Sequence, residues 1–299
     1  NAIVAWNTAF LRDGAAIRLG DGIQHERALV LVSLLDGRKE NVLAHERHTI
    51  EVGRNSSLTL ILAQRSIGDG HVLLNQVLEA WVDEGATLRI ILVQDASANN
   101  HAITSHVVQL ARSAQLHMTT ISIGGGFIRN MPTVRLAGEG ADAHLYGLTL
   151  ADGTMLVDHH TTVDHAVPNC TSNELYKAIL DGRSTGVFNG KIIVRPDAQK
   201  TSAYQANRNI VLSPRATINT KPQLEIFAND VRCTHGCTVG RIDKEAMFYL
   251  RSRGLSKQEA EALLLAAFAE EITATIPHED VRIALNSRIE HLLHADELA

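Results

Sequence analysis

Short β-rich runs return through the first two-thirds of the chain at a spacing of about 28 residues, and no other feature limits the fold as strongly. Ser57-Leu58-Thr59-Leu60-Ile61-Leu62 is followed by Ala86-Thr87-Leu88-Arg89-Ile90-Ile91-Leu92-Val93 and then by Ala114-Gln115-Leu116-His117-Met118. The phase continues at Ala141-Asp142-Ala143-His144-Leu145 and, more weakly, near Cys170 and Ala198. Turn-like residues precede the runs: Gly53-Arg54-Asn55-Ser56, Asp83-Glu84-Gly85 and Gly138-Glu139-Gly140. A unit this short cannot bury a core alone, whereas stacked copies cover one another. Aromatic residues make up only 4% of the chain, so Val, Ile, Leu, Ala and Thr must fill the interior. These observations favour a β-helix. A β-sandwich would account for the composition but not for the period, and no sustained six-residue motif supports a left-handed hexapeptide helix.

The composition is that of a folded globular chain, with 299 residues, 45% hydrophobic and 20% charged. A formal net charge of -5 and the lack of a basic stretch argue against nucleic-acid binding, which rewards a basic surface. No apolar run reaches membrane-spanning length. Three cysteines are too few, and odd in number, for a disulfide framework, so a reducing, cytoplasmic setting is expected. The chain starts at Asn1 without a signal-peptide pattern, as a trimmed chain would.

Two domains are expected, a β-helix over 1–240 and a helical domain over 241–299. Asp243 is placed to N-cap a short helix through Ala246, Met247, Leu250 and Arg251 that ends at Gly254. Ser256-Lys257-Gln258-Glu259 forms a capping box. The helix behind it is expected to bury Ala260, Leu263, Leu264, Ala267, Phe268 and Ile272. A third helix after Pro277 carries Val281, Ala284, Leu285, Ile289 and Leu292.

Three segments could carry chemistry. In an extended Cys233-Thr234-His235-Gly236-Cys237, the two cysteines and the histidine project to one side. A closed zinc site usually needs four ligands, so this strand offers part of a site at most; soft thiolate plus imidazole suits iron–sulfur chemistry. Asp158-His159-His160 with Asp164 and His165 is the densest His/Asp cluster and would suit a metallophosphoesterase. Alternation puts His159 and His160 on opposite faces, so solvated surface histidines are the better reading. Gly124-Gly125-Gly126 lacks the following helix that phosphate loops require and is read as a turn. The chain has no Walker A motif and no G-x-S-x-G elbow.

Six blocks resemble a known family: Val187-Phe188-Asn189-Gly190-Lys191-Ile192, Ala198-Gln199-Lys200-Thr201, Gln205-Ala206-Asn207-Arg208-Asn209, Lys221-Pro222-Gln223-Leu224-Glu225-Ile226, Asp230-Val231-Arg232-Cys233-Thr234-His235-Gly236 and Met247-Phe248-Tyr249-Leu250-Arg251-Ser252-Arg253-Gly254. Together they look like the SufB/SufD scaffold proteins of SUF iron–sulfur cluster assembly, closer to the SufD branch, with looser similarity starting near Leu11. The resemblance implies a right-handed parallel β-helix followed by a small C-terminal helical domain. It implies a non-catalytic scaffold that pairs with a SufB-type paralogue and with the ABC-type ATPase SufC. The ATPase would dock on the helices, around Phe248, Tyr249, Leu250, Arg251 and Arg253. A transient iron–sulfur cluster would form at the SufB interface, with His235 and then Cys233 as candidate ligands and no cofactor intrinsic to the isolated chain. Where SufB has a cysteine after the strand glutamine, this chain reads Gln205-Ala206-Asn207. Cys237 departs from the SufD pattern and is expected to pack. The family's helical N-terminal region is not recognisable here. In isolation a homodimer is possible; a β-helix carbohydrate-active enzyme is the alternative function, disfavoured by scarce aromatics and no paired-carboxylate signature.

Overall fold

The computed structural model describes residues 1–294, so the last five positions of the expected helical domain lie outside the described residues. A short helix, α1 (Ala2–Phe10), leads into eight turns of two strands each. These are β1 (Ala16–Leu19) with β2 (Leu29–Asp36), β3 (Val42–Val52) with β4 (Ser57–Ile67), β5 (Val72–Val82) with β6 (Thr87–Gln94) and β7 (Asn100–Leu110) with β8 (Gln115–Ser122). They continue as β9 (Phe127–Leu136) with β10 (Asp142–Ala151), β11 (Leu156–His165) with β12 (Thr171–Leu180), β13 (Thr185–Val194) with β14 (Ser202–Val211) and β15 (Thr217–Ile226) with β16 (Arg232–Gly240). Odd strands form one parallel eight-stranded sheet and even strands a second. The fold is therefore a parallel β-helix. The period is set by the ladder: His101 pairs with Phe127, and Ala16 with Thr49.

Six turns from an odd to an even strand, from β3–β4 to β13–β14, repeat one device. A residue with positive φ stands two positions before the even strand: Asn55, Gly85, Ser113, Gly140, Asn169 and Lys200. This left-handed conformation reverses the chain sharply and favours Gly and Asn. The next residue points inward and is small, giving a buried column of Ser56, Ala86, Ala114, Ala141, Cys170 and Thr201. Cys170 is thus a packing residue whose thiol points at the Gly138 carbonyl, 3.4 Å away. The Gly124–Gly126 segment is a turn as expected; a Cβ on Gly126 would come within 2.1 Å of the Ala98 carbonyl oxygen.

Between the sheets, apolar columns such as Leu58, Leu88, Leu116 and Ala143 interdigitate with Ile50, Ala80, Val108 and Val134. A polar seam runs beside them. Ser33 Oγ and Gln76 Nε2 donate to Glu46 Oε2, at 2.6 and 3.1 Å. Gln64 donates to Gln76, Gln94 to Gln64, and both Ser122 and Asn130 to Gln94 Oε1, within 2.8–3.2 Å. Thr149 Oγ1 and His159 Nε2 end the seam at 3.0 Å. Buried polar groups must find such partners, and pairing them rung to rung also fixes which turn stacks on which.

Helices α2 (Lys244–Ser252), α3 (Lys257–Thr273) and α4 (Glu279–His294) follow. Asp243 caps α2 and the Ser256/Glu259 capping box opens α3, both as read from the sequence. α3 and α4 lie on the outer side of the even sheet, where Ile91, Val93, Ile121, Leu148, Leu150 and Ile179 meet Leu265, Ala269, Ile272, Leu285 and Ile289. This corrects the expected stripe of α3. Leu263 and Ala267 are exposed, while Ala262, Leu265 and Ala269 are buried. The sequence identifies an apolar stripe, but Leu and Ala on both flanks leave its rotation to the surface it meets. On α4, Leu285 and Ile289 are buried and Ala284 is not. α1 has no counterpart in the sequence reading. It sits on the odd sheet, with Asn7 Nδ2 donating to the carbonyls of Glu46 and Asn75, both at 2.9 Å.

Candidate functional site at the open end

The last turn, β15 with β16, ends both sheets, so each strand has one edge without a neighbour among the described residues. Register settles where the candidate ligands of β16 point. Cys233 pairs with Ala203, His235 with Gln205 and Cys237 with Asn207. Ala203, Gln205 and Asn207 are buried positions of the inner face. The two cysteines and the histidine therefore share the inward phase, as alternation implies. No further turn covers them, so Cys233 is half-buried and His235 and Cys237 are exposed.

The three side chains differ chemically. Burial pushes the Cys233 thiol above its ordinary range, so in the chain alone it is protonated at neutral pH. A partner that brings positive charge or metal would be needed to draw out the thiolate. Cys237 donates to Thr220 Oγ1 at 3.2 Å, a contact across the end of the barrel to β15. Cys237 is nonetheless exposed, so it is not a packed core residue of this turn. Among the described residues, no group of three or more His, Cys, Asp or Glu side chains is placed to hold a metal ion. The open end thus presents separate candidate ligands, not a cage.

The Asp158–His165 cluster is dispersed. His159 faces inward, and burial lowers it to about 4. His165 is also buried and lowered to about 4, with Nε2 2.8 Å from Ser172 Oγ. Asp158 and His160 face outward, where Asp158 bonds Arg129 at 2.8 Å and His160 at 2.9 Å. Asp164 pairs with Arg195 at 2.7 Å. The opposite-face expectation holds, but the expectation of solvated histidines does not. Two of the three are interior residues, because the interior admits polar groups along its seam.

The helices offer a second surface. α2 buries none of its residues, and Phe248 and Tyr249 are 75% and 56% exposed. Arg253 stacks over Tyr249, 5.2 Å from the ring centroid. Leu250 is partly buried and Arg251 exposed. α3 is fastened to the barrel by Lys177 on β12. Its ammonium donates to the Phe268 carbonyl at 2.8 Å, lies 4.0 Å over the Phe268 ring and pairs with Glu271. Arg208 on β14 reaches the same Glu271 at 3.1 Å. The sequence reading missed Lys177. Its one signal was a lysine amid the apolar outer column of the even sheet.

A family model described as SUF system FeS cluster assembly, SufBD core domain, matches residues 35–268. The iron–sulfur cluster assembly protein SufD of Escherichia coli (strain K12) is 32% identical over 90% of this chain and 64% of its own length. A SufBD family protein of Synechocystis is 30% identical over 91% of this chain and 62% of its own. One from Mycobacterium tuberculosis is 36% identical over 74% of this chain and 57% of its own. The chain therefore spans less than two-thirds of the length of these curated relatives. With a parallel β-helix, C-terminal helices and a match over most of its length, this chain belongs to the SufBD family of SUF iron–sulfur cluster assembly proteins and is SufD-like.

Proposed function

We propose that the chain is a non-catalytic scaffold subunit of a cytoplasmic SUF assembly complex, and that its open barrel end pairs with a SufB-type paralogue. The observation that carries this reading is the placement of His235. It is an inward-phase residue on the last strand, left exposed because no ninth turn follows among the described residues. A partner that continues the sheets would cover it and bring the missing ligands. In the absence of that partner, a second copy of this chain could use the same edge. The nascent iron–sulfur cluster is cargo held between subunits. His235 supplies a neutral imidazole nitrogen, and Cys233 a thiolate once the interface favours its ionisation.

The SufC-type ATPase docks on α2, with Phe248, Tyr249 and Leu250 as the apolar contact and Arg251 and Arg253 at its border. Two exposed aromatics on a helix with no buried face support this, since such anchors dominate protein interfaces. ATP-driven movement of the docked ATPases would open the interface and expose His235, provided the nucleotide state binds the open arrangement more tightly. The family match supports the scaffold reading over a carbohydrate-active one. No helix among the described residues is long and apolar enough to cross a membrane.

Reconstitution of the three-protein complex with His235→Ala tests the site. Iron and acid-labile sulfide bound per complex should fall several-fold, and Cys237→Ala should leave them unchanged. A full cluster complement in His235→Ala would remove the histidine from the mechanism.

A further inference from the structure

The interior of the last three turns holds a polar column that the proposed cluster site does not by itself require. Glu174 on β12, Gln205 on β14 and His235 on β16 occupy one register position. They stack in that order on the inner side of the even sheet, with His235 outermost. Neighbouring parallel strands stand about 4.8 Å apart, so each side chain is within reach of the next. Glu174 and Gln205 are fully buried. Gln205 Nε2 donates to Glu174 Oε2. With its nitrogen turned to the Glu174 carboxyl, the amide points its oxygen the other way. Gln205 Oε1 is then left buried without a hydrogen-bond partner, one strand from His235. Glu174 Oε1 in the same column is likewise without a partner, and unpaired buried oxygens of this kind favour a donor that reaches them.

The odd sheet is shaped to admit this amide. A Cβ on Gly190 would stand 2.4 Å from Gln205 Nε2 and 2.6 Å from the tip of the Phe188 ring. Any larger residue at 190 would drive Gln205 out of the column. Ligating histidines almost always donate their second ring N–H to a fixed acceptor, which sets the tautomer and the ring plane.

We propose that Gln205, oriented by Glu174, is a positioning residue for His235: its side-chain carbonyl accepts one imidazole N–H when a partner closes the barrel end, leaving the other ring nitrogen free for iron. This rests on the reading of His235 as a cluster ligand. Exposed at the terminal turn, the ring has room to turn toward the amide, and closure removes the water that competes for its N–H.

The test uses the reconstituted complex and follows cluster loss to a chelator, alongside the tautomer of His235 read from ring 15N shifts. Gln205→Met keeps length and removes the acceptor. It should speed cluster loss about 10- to 100-fold, the usual cost of removing an outer partner of a ligand, and mix the His235 tautomers. The exchanged pair Glu174→Gln/Gln205→Glu restores an acceptor at 205 with the same total charge and should recover most of the retention. Loss in Gln205→Met with recovery in the exchanged pair supports positioning. Unchanged retention and a single tautomer in Gln205→Met, with retention lost in His235→Ala, would overturn the positioning role while the ligand reading stands. Unchanged retention in both would overturn both. If Gln205→Met does not fold, Glu174→Gln frees the amide to flip and carries the same two readouts.

Discussion

The two sheets of the β-helix share one topology and one interior, yet their outer faces obey different rules. Where α3 and α4 cover the even sheet its strands are apolar on both sides, as at Ile90-Ile91-Leu92-Val93 of β6. The odd sheet carries ion pairs outside, such as Arg129–Asp158 and Lys191–Glu225, and alternates in the ordinary half-buried way. Inside, the difference reverses in kind. The odd sheet contributes the buried imidazoles His106, His159 and His165, and the even sheet contributes the buried acid Glu174. Identical backbone architecture thus leaves composition to be decided by what covers each face.

The largest test of that comparison is a charge placed on each outer face. Leu148, on β10, has no exposed surface under the helices, whereas Val107, on β7, is 45% exposed. Leu148→Ala should cost about 3 kcal/mol in urea unfolding, and Leu148→Asp should abolish the cooperative transition. Val107→Asp should cost less than about 1 kcal/mol. Equal losses would mean that the helices do not shield the even sheet in solution.

Next in size is the pH response of the two interiors. Burial lifts the Glu174 carboxyl from 4.5 to about 7. The folded state then holds a proton that the unfolded state has released, so stability falls as pH rises between these values, by roughly 3 kcal/mol. The histidines have the opposite sign. His159 and His165 are lowered to about 4 and His106 to about 3, so the unfolded state binds their protons first. Their contribution is lost as pH falls below the ordinary imidazole value and is present above it. Glu174→Gln should therefore steepen the rise in unfolding free energy between pH 4.5 and 7. A variant curve parallel to the wild type would show that Glu174 is ionised inside the barrel.

A smaller effect is expected at the clamp. Lys177→Met removes a buried ammonium from the Phe268 carbonyl and Glu271, and should destabilise by about 2 kcal/mol. Its signature is local: amide exchange should rise in α3 while the turns of the odd sheet keep their protection. Uniform loss of protection would mean that the helices and the barrel open as one unit.

The same contrast explains what could be read in the chain. The recurring runs found in the sequence are the even strands β4, β6, β8 and β10, which stand out because apolar residues fill their inner face and the part of the outer face under the helices. The odd strands escaped notice, since outward Arg129, Asp158, Asp164 and Lys191 interrupt their pattern. Both helix caps were legible, because Asp243 and Ser256 act within three or four residues. The rotation of α3 was not, because it depends on Ile121 and Leu148, far away in the chain. At the site, the common side of Cys233, His235 and Cys237 followed from alternation alone. That this side is inward, that Cys233 is half-buried and that Gln205 lies beneath His235 followed only from register.

The sequence by itself determined a stacked β architecture, its turn positions, the capped helices and a strand carrying soft ligands, all through local spacing and residue type. Only the tertiary structure decided which face is covered, which histidines are interior and which turn is left open. Those outcomes depend on contacts between residues tens to hundreds of positions apart, and no local pattern encodes which surface a given stripe will meet.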